Sequence, residues 1–319
     1  KIKGLEYIKI LTNWMWSTNI KPNDYLLVEA VNVLTDYLKI LNIGVDGGKD
    51  SLSMNIKVNE TIVESPNTLV LKSIAPMTSV YEKITPNLKG AGNYLILIDM
   101  GYGRMGGSIY YKINNKLGHG DEQPTFEKIK YFDKLWVIIQ TLIQEQRILS
   151  GHDRSDGGLI STLVEMSISS HYGIELDIES HMDQENYLFN EELGLVIEVS
   201  PDEYRHVLRL LCTQPYKVSK IGTTTDLGEI NIKYNKSSIF SENKTLLAET
   251  WELPSFIMEK EQCNLECAQQ EYLSIKERKP YQYYISDKLY NKIDQIFFEN
   301  IKQYNVAIIR TNGTNGEYE

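Results

Sequence analysis

This sequence predicts an α/β (α+β) fold of mixed sheets covered by helices. Apolar residues recur every three or four positions in some stretches and alternate strictly in others, the periods of helix and strand respectively. The two kinds of stretch also follow one another along the chain rather than segregating, the pattern of sheets packed by helices. At 319 residues the chain is long enough for about two domains of ~150 residues each.

Leu27, Val31, Leu34, Leu38 and Leu41 fall on one face of a helix over 24–41, which predicts that this face is buried and that the helix ends at Asn42. After the apolar residues 43–45, Asp46-Gly47-Gly48-Lys49-Asp50-Ser51 is expected as a Gly-rich loop. Alternation in Leu52, Met54, Ile56 and Val58 predicts a strand, and 69–74 a second. Pro76 and the Pro, Gly and Asn residues of 86–93 place a boundary near 80–92. Beyond it the expected order is strand (94–98), Gly-rich loop (101–107), strand (108–113), and a long helix from about 125 to 149 after Pro124. A loop (151–158), a helix to about 170, strands near 174–178 and 193–199, a helix over 202–212, and strands near 217–221 and 229–232 follow. Residues 241–277 are polar and helical, with Leu246, Leu247, Trp251 and Leu253 early, and read as a connector. A short apolar strand is expected at 305–310, then the Gly-bearing 311–316, as though a further domain began there. No internal repeat is present.

Charge and composition exclude several classes. Lys+Arg 33 against Asp+Glu 43 gives a net charge of −10, so no overall attraction to a phosphate backbone exists and nucleic acid is not an expected partner. No run approaches the ~18 apolar residues of a membrane span, and Lys1-Ile2-Lys3-Gly4 lacks a signal-peptide layout. No membrane partner and a cytoplasmic location are therefore expected. Cys212, Cys263 and Cys267 form neither an even framework nor a C-x-x-C pair, against disulfide and zinc scaffolds. The Asn-x-Ser/Thr sequences at Asn59, Asn235, Asn243 and Asn312 matter only to a secreted chain. With no initiating Met and an unfinished last unit, the sequence is expected to be a fragment.

Gly101-Tyr102-Gly103-Arg104-Met105-Gly106 fits G-x-G-x-x-G, with Asp121 about twenty residues on, as a dinucleotide fold requires. A dinucleotide loop must open a helix, whereas 108–113 is expected to be extended, which argues against a dehydrogenase. His119, His152, His171, His181 and His206 are scattered, without H-E-x-x-H, and read as surface or packing residues. Cys263 and Cys267, one helical turn apart, read as helix surface.

His152-Asp153-Arg154-Ser155-Asp156-Gly157-Gly158 is richer: carboxylates suit magnesium, while a Ser hydroxyl and N–H groups at a helix start suit phosphate. Its alternative is Asp and Ser capping a helix. In Asp46 to Ser51 two glycines allow close backbone approach to a ligand, Lys49 offers a point charge and Ser51 a hydrogen bond. The Walker spacing is absent, and an ordinary glycine turn is the alternative.

Asn13-Trp14-Met15-Trp16, D-G-G-K-D-S-L-S-M over 46–54, H-D-R-S-D-G-G-L over 152–159 and F-N-E-E-L-G over 189–194, taken in order, resemble the family of large, single-chain phosphoribosylformylglycinamidine synthases. Phe240-Ser241-Glu242, Trp251 and residues 264–271 resemble that family's exit helix, and 306–310 with Asn315-Gly316 the first strand and loop of its glutaminase domain. The resemblance implies subdomains like those of aminoimidazole ribonucleotide synthetase, duplicated within one polypeptide, whose paired halves build a central β-barrel. It implies the end of a second N-terminal-type subdomain at 1–80, a C-terminal-type subdomain at 90–235, a helical linker at 240–303 and the start of a glutaminase domain at 304–319.

The implied reaction is that of an ATP-dependent ligase of purine biosynthesis. Formylglycinamide ribonucleotide, glutamine and ATP give formylglycinamidine ribonucleotide, ADP, phosphate and glutamate. The implied cofactors are Mg2+ and ATP/ADP. The implied partners are the formylglycinamide substrate, glutamine-derived ammonia and the remainder of the same polypeptide. Carried over by position, Asp153 is an expected magnesium ligand and Ser155 a nucleotide contact at a structural nucleotide site. Gly48, Lys49 and Ser51 fall where short-form relatives place a Gly contacting ATP, an Asn binding magnesium and a Ser contacting substrate. Lys49 in place of Asn makes a direct phosphate contact its expected role. No catalytic residue is expected in this chain: the family's His would precede Lys1 and its Cys-His-Glu site would follow Glu319. The alternative from another class is a non-catalytic nucleotide-binding scaffold of the same fold.

Overall fold

The computed structural model describes residues 2, 4–77, 79–118, 122–278, 284, 286 and 307–312. The N-terminal unit begins with a parallel crossover: β1 (Lys9–Met15), α1 (Asn23–Leu41) and β2 (Gly44–Ser51). β5 (Thr68–Ile74) pairs antiparallel on the other side of β1, so the sheet order is β2-β1-β5. β3 (Asn55–Val58) and β4 (Thr61–Glu64) form a separate hairpin, turned at Asn59, whose φ is 56°. Asn42 is left-handed and donates its N–H to the Leu38 and Lys39 carbonyls, closing α1 where expected. The inward face of α1 departs from its pattern. Leu38 is buried, but Val31 is 41% exposed, since it lies towards the edge of the stripe centred on Leu34 and Leu38.

Residues 46–51 are not a loop. They continue β2, in register with β1 from Gly47 opposite Leu11 to Ser51 opposite Met15. The ladder to β1 supplies the order that two glycines cannot.

The C-terminal unit is a mixed sheet of seven strands in the order β12-β11-β8-β10-β6-β9-β7. These are β6 (Tyr94–Asp99), β7 (Ser150–Arg154), β8 (Gly173–Ile178), β9 (Gly194–Val199), β10 (Lys217–Thr225), β11 (Glu229–Tyr234) and β12 (Ser237–Asn243). Only β8 and β11 run parallel. Around the sheet lie α2 (Ile109–Ile113), α3 (Phe132–Gln144), α4 (Gly158–Ile168), α5 (Gln184–Phe189), α6 (Tyr204–Leu211), α7 (Lys244–Gln262) and α8 (Leu265–Leu273). Alternation along β6 divides the core in two. Leu95 and Leu97 pack with Leu159, Leu163 and Met166 of α4, while Ile96 and Ile98 pack with Leu135, Leu142, Val207 and Leu211 of α3 and α6.

Several expectations are corrected. Residues 109–113 are helical, because the Ser108 hydroxyl accepts from the Tyr111 N–H and caps a first turn. The expected loop 151–158 is strand β7 as far as Arg154, held by β9. The helix expected over 125–149 is confined to Phe132–Gln144, after a 3-10 turn at Ile129–Tyr131. β1, β4, α5 and β12 were not expected at all. Residues 307–310 form no strand, and 305–306 and 313–316 lie outside the described residues, as do His119 and Asp121.

The boundary segment is pinned by Glu198 of β9, which is fully buried. Its carboxylate accepts from the Lys89 N–H at 2.9 Å, the Gly90 N–H at 3.3 Å, Asn93 Nδ2 at 2.7 Å and Ser150 Oγ at 2.7 Å. Donors on the crossing segment, with the Ser150 hydroxyl of β7, thus satisfy a buried carboxyl group.

Candidate functional site

Each unit carries its motifs on a pair of neighbouring strands ending at a sheet edge. In the first, Asn13, Trp14 and Met15 of β1 stand opposite Lys49, Asp50 and Ser51 of β2. The two motifs of the first unit are therefore one surface. Gly48 is required by packing, since a Cβ there would lie 2.6 Å from the Thr12 carbonyl oxygen. Lys49 is exposed and its Nζ donates to the Asp50 carbonyl at 3.1 Å, a contact to its neighbour's backbone that leaves the ammonium near solvent. Ser51 is half-buried, and its carbonyl accepts from the Trp16 N–H at 2.8 Å.

In the second, Asp153 and Arg154 of β7 stand opposite Leu195 and Gly194 of β9, which brings H-D-R-S-D-G-G against F-N-E-E-L-G. Arg154 is buried; its Nη2 donates to Asp99 Oδ1 at 2.7 Å and its Nε to the Glu192 carbonyl at 2.6 Å. Gly194 makes room for it, as a Cβ there would lie 3.0 Å from Arg154 Nε. Gly157 and Gly158 are both left-handed, with φ of 80° and 72°, and turn the chain into α4. Glu191 Oε1 accepts from the Gly157 N–H and from the Ile109 N–H, each at 2.8 Å. A carboxylate of the protein thus holds one N–H beside the start of α4, where a phosphate contact was expected.

Asp153 points outward, its side chain 68% exposed. Burial pushes its carboxyl up, but the Ser155 hydroxyl, a backbone hydrogen bond and the adjacent His152 outweigh it and hold the group below the usual aspartate range. The Ser155 hydroxyl donates to Asp153 Oδ2, so these two expected site residues are in contact. Among the described residues no cluster of three or more His, Cys, Asp or Glu side chains is gathered for a metal. One ionised, outward carboxylate nevertheless fits magnesium, which is often held by one or two carboxylates with phosphates and water completing its shell. No hydrogen bond or ion pair among the described residues joins Gly48, Lys49 or Ser51 to Asp153 or Ser155.

The Gly101 to Gly106 loop holds a carboxylate of its own. Glu192 Oε1 accepts from the Tyr102 N–H at 3.0 Å, the Arg104 N–H at 3.1 Å and Arg104 Nε at 2.7 Å. A Cβ on Gly101 would lie 2.3 Å from Glu192 Cβ. The dinucleotide reading fails for a reason other than the expected strand. A helix does follow, but β6 is flanked by antiparallel β9 and β10, and no parallel βαβ unit exists there. Arg154, Asp99, Glu191 and Glu192 were missed as chemistry; the signal was F-N-E-E-L-G, read for resemblance and not for its carboxylates.

The mixed sheet with H-D-R-S-D-G-G on its edge, beside a crossover unit bearing D-G-G-K-D-S, is an AIR-synthase-like fold. Residues 90–235 match the family described as AIR synthase related protein, C-terminal domain, and residues 1–76 the FGAR-AT PurM_N-like domain. The whole chain aligns with a probable phosphoribosylformylglycinamidine synthase, chloroplastic/mitochondrial, of Arabidopsis thaliana at 31% identity, covering 23% of that protein. The phosphoribosylformylglycinamidine synthase of Homo sapiens aligns over the whole chain at 28%, with 24% of its length covered.

The fold is also that of T. maritima PurL. The structure complexed with ATP matches 75% of this chain and 37% of its own, with a TM-score of 0.55 and 13% identity. The structure complexed with FGAR matches 76% and 40%, with a TM-score of 0.57 and 14% identity. The chain is thus similar along its whole length to phosphoribosylformylglycinamidine synthases, and it spans about a quarter of the length of the curated relatives it matches.

Proposed function

We propose that this chain is part of an ATP-dependent carbon-nitrogen ligase of purine biosynthesis, a glutamine amidotransferase that converts formylglycinamide ribonucleotide to formylglycinamidine ribonucleotide. The observation that carries this is the pairing of motifs on strands: N-W-M-W lies against G-G-K-D-S, and H-D-R-S-D-G-G lies against F-N-E-E-L-G. Relatives named for this activity align with every residue of the chain, and PurL structures complexed with ATP, ADP and FGAR share its fold.

In this proposal Lys49 presents a point charge to nucleotide phosphate beside the Gly48 backbone, and Ser51 offers its hydroxyl to the substrate. Asp153 presents its carboxylate and Ser155 a hydroxyl to a second, structural nucleotide. Magnesium, when bound beside Asp153, neutralises phosphate charge. ATP phosphorylates the amide oxygen and makes it a good leaving group, and ammonia then displaces phosphate. Ammonia, the catalytic residues and the glutaminase chemistry come from the remainder of the polypeptide, whose start we place at 304–319 after a linker at 240–303. We place the subdomains at 1–80 and 90–235; the family matches over 1–76 and 90–235 support this reading.

Among the described residues no helix is long and apolar enough to cross a membrane. We place the protein in the cytoplasm, while noting that the Arabidopsis relative is named chloroplastic/mitochondrial.

The test is Ser51→Ala in the full-length protein, with each substrate varied. Loss of one hydrogen bond worth roughly 0.5–1.5 kcal/mol should lower kcat/KM for formylglycinamide ribonucleotide by about two- to tenfold and leave that for ATP unchanged. Unchanged values for both substrates would reduce Gly47 to Ser51 to a structural strand.

A further inference from the structure

We propose that Ser17, Thr18 and Asn23 are positioning residues that fix where the Ser51 hydroxyl stands; this rests on the assignment of Ser51 to the substrate above. Ser51 is the last residue of β2, and β2 is the edge of its sheet, paired with β1 alone. The Ser51 hydroxyl has no hydrogen-bond partner among the described residues, so its placement follows that of the backbone. That backbone is held from one side.

The holding segment is the turn that follows β1. The Trp16 N–H donates to the Ser51 carbonyl at 2.8 Å and the Thr18 N–H to the Leu52 carbonyl at 2.9 Å, while the Met54 N–H donates back to the Trp16 carbonyl at 3.1 Å. Side chains reinforce this ladder. Thr18 Oγ1 donates to the Leu52 carbonyl at 3.0 Å, and Ser17 Oγ, on a fully buried residue, to the Met54 carbonyl at 2.6 Å.

Asn23, 7% exposed at the start of α1, pegs the turn in place. Its Nδ2 donates to the Ser17 carbonyl at 3.3 Å and to Glu64 Oε1, and its Oδ1 accepts from Asn67 Nδ2 at 2.9 Å. Its carbonyl accepts from Trp16 Nε1 at 2.8 Å. The side-chain amide is thus paired at both ends, with partners from the turn, from β4 and from the residue before β5. A satisfied buried network specifies one arrangement, and this one converges on residues 51–54.

A positioning residue acts only through the group it places, so its effect cannot exceed the loss of that group and disappears once the group is gone. Kinetics of the full-length protein, with formylglycinamide ribonucleotide and ATP varied in turn, are compared for Ser17→Ala, Thr18→Val and Asn23→Ala. Each is made alone and combined with Ser51→Ala, and the melting temperature of every variant is measured alongside. Ser17→Ala and Thr18→Val should each lower kcat/KM for formylglycinamide ribonucleotide about two- to fivefold, a part of the single hydrogen bond at stake, with kcat/KM for ATP unchanged. Asn23→Ala should approach the full Ser51→Ala loss. In the Ser51→Ala background all three should have no further effect, the non-additivity of coupled residues.

If Ser51→Ala itself leaves kcat/KM for formylglycinamide ribonucleotide unchanged, the assignment of Ser51 falls and the positioning role with it. If Ser51→Ala lowers that value and the two hydroxyl deletions do not, the assignment stands and the positioning role is overturned. Losses that persist undiminished in the Ser51→Ala background, or that strike ATP equally, would refute placement of Ser51 as their cause. Should Asn23→Ala fail to fold, Ser17→Ala and Thr18→Val decide the matter. The Met54 carbonyl keeps the Ser65 N–H at 2.9 Å and the Leu52 carbonyl keeps the Thr18 N–H, so neither change strands an acceptor.

Discussion

At Arg154 and Asp99 the charges are buried together, with side chains only 1% and 11% exposed. The guanidinium is also committed to the Glu192 carbonyl, so Asp99, Arg154 and the F-N-E-E-L-G turn are one hydrogen-bonded unit. Truncating one partner leaves the other charge buried, at a cost of about 3–5 kcal/mol. Arg154→Ala should lower stability by about that amount in denaturant titration, and the double change Asp99→Leu with Arg154→Met should recover a good part of it. A loss below ~1 kcal/mol for the single change would mean that the pair is as weak as a surface one. Because Arg154 and Asp153 are adjacent on β7, the same buried pair fixes the strand from which Asp153 projects. Neither charge was read from the sequence as structural: Asp99 ends an apolar strand and Arg154 sits among candidate ligands, and only the fold shows which one turns inward.

The two glycines that open α4 are constrained differently. A Cβ on Gly158, at φ 72°, would lie 2.7 Å from the Leu188 carbonyl oxygen and from Phe189 backbone atoms. On Gly157, at φ 80°, it would meet the Ser161 hydroxyl at 2.1 Å, the end of a side chain that can rotate away. Left-handed backbone costs a non-glycine residue roughly 1–2 kcal/mol, and a backbone clash adds to it only at Gly158. Gly158→Ala should therefore destabilise by more than ~2 kcal/mol and Gly157→Ala by less. Gly228→Ala, where no atom lies within 4 Å, should stay within about 0.5 kcal/mol; equal losses at all three in thermal melts would contradict this ranking.

Which elements were legible follows the same logic of local against distant cause. α1, β5, β6, β8, β9 and α4 announce themselves through periodicity within their own residues. β2 does not, because Gly47 and Gly48 carry no side-chain signal and the order comes from β1, some thirty residues away. α2 was misread because a single cap at Ser108 outweighs the β-branched Ile109 and Ile113. Of the candidate site, the ligand-type residues were visible, but the carboxylates of Glu191 and Glu192, which occupy the two glycine-rich loops, were not.

On the scale of the molecule the two units differ in how well their apolar surface is covered. In the N-terminal unit Val45 of β2 is 53% exposed, Val70 and Leu71 of β5 48% and 43%, and Ile56, Ile62 and Val63 of the separate hairpin 63%, 57% and 51%, whereas β6 and β9 are nearly all buried. Consecutive strand residues point to opposite faces, so apolar side chains are exposed on both faces of these strands, an exposure that favours association. The 319-residue chain should bind an apolar fluorescent dye more strongly than the full-length protein does. Ile56→Lys with Val70→Lys should reduce that signal without lowering the melting temperature; undiminished dye binding would locate its source elsewhere.

The Glu198 anchor bears on how far the small sheet can lie from the large one. From Thr85, whose carbonyl accepts from the Gly151 N–H at 3.2 Å, the chain is fastened to the large sheet through Lys89, Gly90 and Asn93. The small sheet ends at Ile74. A leash of about ten residues lies between, and it reaches at most ~35 Å fully extended. The edge bearing Ser51 is therefore kept at high effective concentration beside the unit bearing Asp153, and direct contacts add to the tether: α1 packs on the turn at Ile129–Tyr131, Tyr37 Oη accepts from the Phe126 N–H at 3.4 Å, and the Ile2 N–H donates to Gln140 Oε1 at 2.8 Å.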